Sequence, residues 1–270
     1  MYNVNMPNWV KHDYDIVGPD VSKWQGTVNW QQMATIQTNL GFAMCKSTQG
    51  TTFIDTQFKT NMQGMKKHLS SVSRTFGSFT HPIAIGTYHF ANILPGQTDA
   101  DYQAQADHYF NTVSPYNPDF WVLDWEDPKG HAVSVNDRAK YAKVFVLRLY
   151  NKLKEKYGSS YVPKIFIYVG SYYWGNPDVD AIGNPYEWFG SYGPKLWIAA
   201  YIVDNVLPPA QNDYDIIYDV PRLNIRHFEH GSHTWHVWQY TSTANVPGVT
   251  GNCDVSVVRT SAIWNSDFYQ

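Results

Sequence analysis

Cysteine is scarce in this chain: Cys45 and Cys253 are the only two among 270 residues. That is too few, and too widely spaced, for a disulfide framework, so both read as free thiols suited to a reducing compartment or indifferent to redox state. Charge is scarce as well. Charged residues make up 16% of the chain, the net charge is −3, and the pI is near 6.3. No block of Lys and Arg supplies the basic face that a nucleic-acid partner requires, and the same balance argues against electrostatic adhesion to an anionic surface. There is no run of about 18 apolar residues, so no membrane insertion is expected. The N-terminus, MYNVNMPNWVKHDYD, lacks the charged start, apolar run and small-residue cleavage site of a signal peptide. No repeat, low-complexity tract or linker divides the chain, and residues 1–270 read as one domain.

What the chain has in excess is aromatic rings: 11 Trp, 20 Tyr and 13 Phe. A hydrophobic fraction of 43% is ample for a sizeable core, and filling that core accounts for most of the rings. Trp and Tyr also present flat apolar faces that match the C–H faces of sugars, with polar tips that tolerate a wet cleft. Composition therefore tilts weakly towards carbohydrate.

Short runs rich in β-branched and aromatic residues predict strands over Asp15–Ser22, Gly41–Ser47, Ile83–Phe90, Phe120–Glu126, Lys164–Val169, Leu196–Ile202 and Trp235–Tyr240. Between them, apolar residues at three- and four-residue spacing predict helices over Val28–Leu40, Asp55–Leu69, Thr98–Thr112 and Ser134–Tyr157. In the last of these, Tyr141, Phe145, Leu149 and Leu153 form one stripe, Ser134 is placed as N-cap and Gly158 as the C-terminal stop. Strands alternating with helices imply parallel strands joined by crossover helices, hence a single α/β barrel. The alternation weakens after about residue 170, so the barrel is expected to be irregular in its second half. A barrel of this kind gathers its chemistry at the C-terminal ends of the strands. Asp20, Tyr88, His89, Asp124, Trp125, Glu126, Tyr168, Tyr201, Gln239 and Tyr240 all fall at such ends.

The sharpest feature is Phe120-Trp121-Val122-Leu123-Asp124-Trp125-Glu126-Asp127. A strand opening on four apolar residues ends in two acids two positions apart, on one side, with Cα atoms about 6.6 Å apart. Two carboxylates on one face of a cleft repel, which holds one of them protonated near neutral pH. A protonated acid beside an ionised partner is what glycosidic cleavage needs. The plainer alternative is an acidic loop start that caps a helix or pairs with a base. Asp20, in Asp20-Val21-Ser22-Lys23-Trp24-Gln25-Gly26, would reach the same mouth, although Asp-x-Ser is also an ordinary capping sequence.

Taken together, DVSKWQG at 20–26, TYHFA at 87–91, VLDWED at 122–127, WIAAY at 197–201 and WQYTSTANVPGVTGNCDVS at 238–256 resemble, in content and order, the lysozymes of glycoside hydrolase family 25. The resemblance covers about residues 15–256. It implies a flattened, TIM-like (β/α)5β3 barrel and an N-acetylmuramidase that cuts bacterial peptidoglycan between N-acetylmuramic acid and N-acetylglucosamine. On it, Glu126 matches the general acid, Asp124 its partner carboxylate, and Asp20 and Asp254 two further acids of the cleft. Tyr88, Tyr168, Tyr201, Trp238 and Gln239 fall where the family contacts sugar. The chain is further expected to be a monomer without cofactor or metal and, having no tandem repeats, without a separate wall-binding domain; lacking a signal, it is expected to be held in the host cytoplasm until a holin opens the membrane, or else carried in a virion. This chain departs from the family by its length, with extra residues around Lys66–Pro82 and Asn205–Ser232 that could reshape substrate choice.

Other readings were weighed. His227, His230, His233 and His236 recur every third residue, inviting a metal site, but Gly231 and the strand that follows disrupt helical spacing. They are expected to be loop histidines. A wall-binding module without turnover is disfavoured by the intact acid pair. A virion structural domain of the same fold stays open, and a chitinase fits less well because no longer run of spaced aspartates precedes Glu126.

Overall fold

The protein is described by a computed structural model over residues 16–126, 133–170, 194–199, 236–258 and 261–269. Eight strands close a barrel: β1 (Ile16–Val21), β2 (Phe42–Gln49), β6 (Ala84–Phe90), β7 (Phe120–Asp124), β8 (Ile165–Gly170), β9 (Lys195–Ala199), β10 (Val237–Asn245) and β11 (Asn252–Val258). Neighbours pair in parallel from β1 through β2, β6, β7, β8 and β9 to β10, and β11 returns antiparallel between β10 and β1. That direct hairpin is where the helix–strand alternation fails, as expected for the second half. A short β3 (Phe53–Ile54) extends the sheet beyond the end of β2.

Helices α1 (Trp30–Ile36), α2 (Phe58–His68), α3 (Asp99–Val113) and α4 (Val135–Tyr157) agree with the expected segments to within a few residues at each end. The Ser134 hydroxyl accepts from the Asp137 amide at 3.2 Å and Gly158 ends α4 at φ +96°, so both caps of this helix fall where the sequence places them. Phe145, Leu149 and Leu153 are fully buried against the barrel wall, and a two-pronged Arg148–Asp107 pair, at 2.7 and 2.8 Å, ties α4 to α3. No helix among the described residues is long and apolar enough to cross a membrane.

Side chains alternate across each strand, which sorts the barrel into two cores. Val17, Ala43, Cys45, Ile85, Trp121, Leu123, Ile167, Ile198 and Trp238 face the helices. Ile16, Phe42, Met44, Ala84, Phe120, Val122, Phe166, Trp197 and Val258 fill the barrel. The interior is chiefly aromatic: Phe42, Phe120, Phe166 and Trp197 meet edge-on or tilted with centroids 5.4–6.4 Å apart, each such contact adding about 0.5–1.5 kcal/mol beyond area burial. Two glycines make room for these rings. A Cβ at Gly18 would lie 2.2 Å from the Phe42 ring, and one at Gly86 would lie 2.2 Å from Phe120.

The N-terminal end of the barrel is plugged by a fifth helix, α5 (Ser261–Phe268), whose Phe268 stacks on Phe42 at 5.3 Å and meets Phe120 edge-on at 4.9 Å. The extra residues around 66–82 form the end of α2 and a hairpin, β4 (Ser73–Phe76) with β5 (Phe79–Pro82). This hairpin braces α5: Phe76 packs on Trp264 at 4.9 Å, His81 stacks on Tyr269 at 4.1 Å, and a 2.6 Å hydrogen bond joins His81 to Asn265. The insertion therefore closes the N-terminal end of the barrel and lies away from the C-terminal ends of the parallel strands. The second insertion, 205–232, lies outside the described residues. Both cysteines are free and buried, as expected.

The tight fit at Gly86 gives a stability test. Gly86→Ala should cost about 1–3 kcal/mol in urea unfolding, the usual penalty of overpacking a core. Combined with Phe120→Leu, it should cost less than the sum of the two single changes, because the smaller side chain clears the added methyl. Strict additivity would show that the ring at 120 is not what excludes a side chain at 86.

Candidate active site

Inward-facing positions at one end of the barrel, the C-terminal end of the parallel strands and the start of antiparallel β11, surround a cleft of about 250 Å³. From β1 come Asp20 and, just beyond it, Ser22; from β2, Met44 and Lys46; from β6, Tyr88 and Phe90; from β7, Val122 and Asp124, followed by Glu126. β8 contributes Tyr168, β10 Gln239 and β11 Asp254, and Trp24 stands at the rim. Period-two alternation makes this set. Phe42, Met44 and Lys46 share one face of β2, with the ammonium outermost, as Phe120, Val122 and Asp124 share one face of β7.

Strand register then sets the neighbours. Asp124 pairs with Phe90 on one side and Tyr168 on the other, and Asp20 lies directly opposite Asp254. Beyond β7 the Trp125 amide still donates to the Tyr168 carbonyl at 2.8 Å. That bond holds the chain extended and returns Glu126 to the side that carries Asp124, as the D-x-E spacing requires.

Four carboxyls thus share one mouth; burial raises all of them, and repulsion by neighbouring acids adds to the rise at Asp20, Asp124 and Asp254. Asp124 is pushed well above the usual carboxylate range, first by burial and then by Glu126, while the Lys46 ammonium opposes the shift. One of its oxygens, Oδ1, is buried without a hydrogen-bond partner, which makes ionisation there costlier still. Burial raises Glu126 as well. Burial lifts Asp254 to about 8, aided by the charges of Asp20 and Glu126. Burial also lifts Asp20, to about 6, although the Gln239 amide donates to its Oδ2 at 2.8 Å. Bonding between the opposed Asp20 and Asp254 carboxyls lowers the first and raises the second. The Tyr168 hydroxyl donates to Gln239 Oε1 at 2.7 Å and fixes the amide's orientation. Asp20, Gln239 and Tyr168 form one continuous chain across the cleft floor.

Lys46, which no motif singled out, brings a cation to this site. Burial depresses its pKa while Asp124 and Asp55 pull it back up, and its ammonium donates to Gln49 at 2.8 Å. A lysine on the inward face at a barrel strand's end was a readable signal. Of the expected sugar contacts, Tyr88, Tyr168 and Gln239 line the cleft. Trp238 does not: it is 1% exposed and packs in the outer core, because it neighbours the inward-facing Gln239 and points the opposite way. Trp125 and Tyr240 face outward for the same reason. His89 is buried behind the wall between Thr48 Oγ1 and Gln105, and burial lowers its pKa to about 3. Tyr201, Asp127, His227, His230 and His233 lie outside the described residues. His236 sits at the far end of the barrel, 3.7 Å from Asp267. Among the described residues no group of three or more His, Cys, Asp or Glu is arranged to hold a metal.

A barrel whose mouth presents two raised carboxyls at one strand end, beside a second pair of opposed acids, has the groups that acid-catalysed glycoside hydrolysis requires. The chain belongs to glycosyl hydrolase family 25, whose model matches residues 19–249. It is 25% identical over 250 residues to lysozyme M1 of Streptomyces globisporus, covering 92% of this chain and 69% of that protein. Its fold is similar to that of the catalytic domain of endolysin ply40 from bacteriophage P40 of Listeria monocytogenes, with a TM-score of 0.63, 21% identity and coverage of 96% of this chain and 100% of that one. The bacterial lysozyme of Streptomyces coelicolor shares the fold at a TM-score of 0.61 and 22% identity, over 95% and 98% of the two chains.

The acid pair across β1 and β11 makes a pH prediction. Asp254 titrates at about 8 when folded, against 3.8 ordinarily, so the folded state keeps a proton that the unfolded chain gives up. The contribution of Asp254 to stability is therefore greatest at low pH and falls as pH rises from about 4 to about 8. Asp254→Asn retains a donor to Asp20 without the ionisation. It should raise the melting temperature at pH 8 by at least about 2–4 °C, the shift per kcal/mol for a chain of this size, and the gain should vanish at pH 4. A gain that does not depend on pH would mean that Asp254 is ionised throughout.

Proposed function

We propose that this protein hydrolyses bacterial peptidoglycan, cleaving the β-1,4 bond between N-acetylmuramic acid and N-acetylglucosamine. The observation that carries the reading is the Asp124–Glu126 pair, two carboxyls on one side of a strand end with both pKa values raised, in a chain of family 25. Membership of the family and the likeness to lysozyme M1 support the choice of substrate.

In this reading Glu126, the less enclosed of the pair, is the general acid. It gives its proton to the glycosidic oxygen as the bond to the anomeric carbon breaks. Asp124 lies deeper, on the floor of the cleft, where it meets the N–H of the 2-acetamido group. The acetamido oxygen attacks the anomeric carbon, and Asp124 stabilises the positive charge that this places on the nitrogen. Water then opens the resulting ring, its proton passing to the Glu126 carboxylate, so the enzyme ends as it began. Lys46 holds negative charge on Asp124 against the burial that opposes it. The Asp20–Asp254 pair, oriented by Gln239 and Tyr168, offers both a proton donor and an acceptor to sugar hydroxyls.

Digestion of purified peptidoglycan, followed by mass spectrometry, tests the assignment. Fragments with reducing N-acetylmuramic acid ends should appear, and Glu126→Gln should lower kcat by about 10²–10⁴-fold, the typical worth of a positioned acid, while binding persists. Reducing N-acetylglucosamine ends would move the cut. No fragments from either protein, with binding retained, would leave only a wall-binding module. A covalent sugar trapped on Asp124 would replace the acetamido route with a protein nucleophile.

A further inference from the structure

One wall of the cleft carries an arrangement of which the chemistry above uses only Lys46. Trp24 is 81% exposed, whereas Trp121, Trp125, Trp197, Trp238 and Trp264 are all fully buried. Its exposure is built in. Ser22 and Gln25 cap each other around the short 3-10 turn Lys23–Gln25, with the Trp24 amide donating to Ser22 Oγ at 3.3 Å. The Gln25 side chain reaches across to the Asn252 carbonyl at 3.2 Å. Buried Asp55 accepts from the Lys23 amide at 3.1 Å and the Gln57 amide at 2.9 Å, locking this turn to the segment that carries Phe53. Phe53 and Ile54 are themselves 36% and 48% exposed.

Between these rings stand two ammonium groups. Lys23 Nζ lies 4.9 Å from the Trp24 ring centroid and 5.3 Å from that of Phe53. Lys46 Nζ lies 5.9 Å from Phe53 and 4.7 Å from Phe90. The order Trp24, Lys23, Phe53, Lys46, Phe90 is a ladder of alternating rings and cations, running from the exposed rim to the carboxyl floor. Opposite signs thus face different parts of one cleft: acids below, ammoniums along a single side.

A neutral glycan strand lying over the acids has no use for cations beside it. A glycan with an anionic branch has. Resting on the function proposed above, we infer that the Trp24–Lys23–Phe53 wall is a subsite for the carboxylate-bearing peptide stem of the substrate, and that it makes the enzyme prefer stem-bearing glycan over bare glycan. The rings shield the ammoniums from full hydration and offer apolar surface to the peptide's methyl groups. The ammoniums meet its carboxylates at the rim, where Lys23 is exposed.

Binding tests this separately from turnover. Glu126→Gln protein is titrated calorimetrically with soluble disaccharide-tetrapeptide and with the same disaccharide stripped of peptide and capped as the muramic acid amide, so that it carries no charge. The stem-bearing ligand should bind more tightly. Adding Lys23→Gln should cut that preference about three- to fivefold, the worth of one exposed charge pair. Lys23→Glu should abolish it, and raising the salt concentration should shrink it in the parent protein. Trp24→Ala should weaken the stem-bearing ligand more than the stripped one. Equal affinity for the two ligands would overturn the inference, as would equal losses on both in the Lys23 variants or no binding of either. If the wild-type protein failed to cleave peptidoglycan while the preference survived, the hydrolase reading alone would fall.

Discussion

Everything in the cleft depends on one constraint: the barrel's register brings four carboxyls to a single mouth, where they cannot all be ionised together. Asp20 and Asp254 face each other across an antiparallel pair, and Asp124 and Glu126 follow one another along a strand edge. Repulsion and burial leave protons on this cluster near neutral pH, and a protonated carboxyl at neutral pH is what glycosidic cleavage needs. The remaining groups hold that state steady. Gln239, held by Tyr168, donates to Asp20, and Lys46 opposes the rise at Asp124.

Such a cluster needs a dry floor, because water rising through the barrel would solvate the acids and return their pKa values to normal. The aromatic stack of Phe42, Phe120, Phe166 and Trp197 supplies it, with Phe268 as the plug beneath. The extra hairpin β4–β5 and helix α5 are therefore connected to chemistry at the other end of the molecule through the rigidity of the plug. Buried Asp267, 3.5 Å from Lys195 and 3.7 Å from His236, anchors α5 to the bases of β9 and β10. The rings that make the sequence look suited to carbohydrate are mostly this floor and the outer core, and Trp24 is the large exception.

Much of this architecture can be read from strand-end chemistry. The seven expected strands, the four helices and the convergence of Asp20, Tyr88, Asp124, Glu126, Tyr168 and Gln239 all follow from local pattern, because period two in a closed barrel leaves few places for a polar side chain to go. Facing was harder to read. Trp238 and Gln239 are adjacent at a strand end, and only the inward position can meet substrate; the alternation from Val237 places Gln239 there. The β4–β5 hairpin carried a readable signal, alternation on both sides of Gly77-Ser78 with Gly77 at φ +59°, hidden because the stretch read as an insertion. Strand β11 has polar residues at alternate positions and an antiparallel partner, so it lacks the continuous apolar run of the parallel strands. Helix α5 offers no charge pattern and no capping box; what makes it a helix is the aromatic socket that receives Trp264 and Phe268.

The central claim is that the mouth holds protons at neutral pH because its carboxyls are crowded and dry. Difference infrared spectroscopy between pH 5 and pH 9 counts protonated carboxyl groups directly. The account predicts carboxylic-acid carbonyl absorption in the wild type at pH 7, reduced in Asp254→Asn and reduced separately in Glu126→Gln. Complete loss of that absorption by pH 5, with every carboxyl ionised, would contradict it.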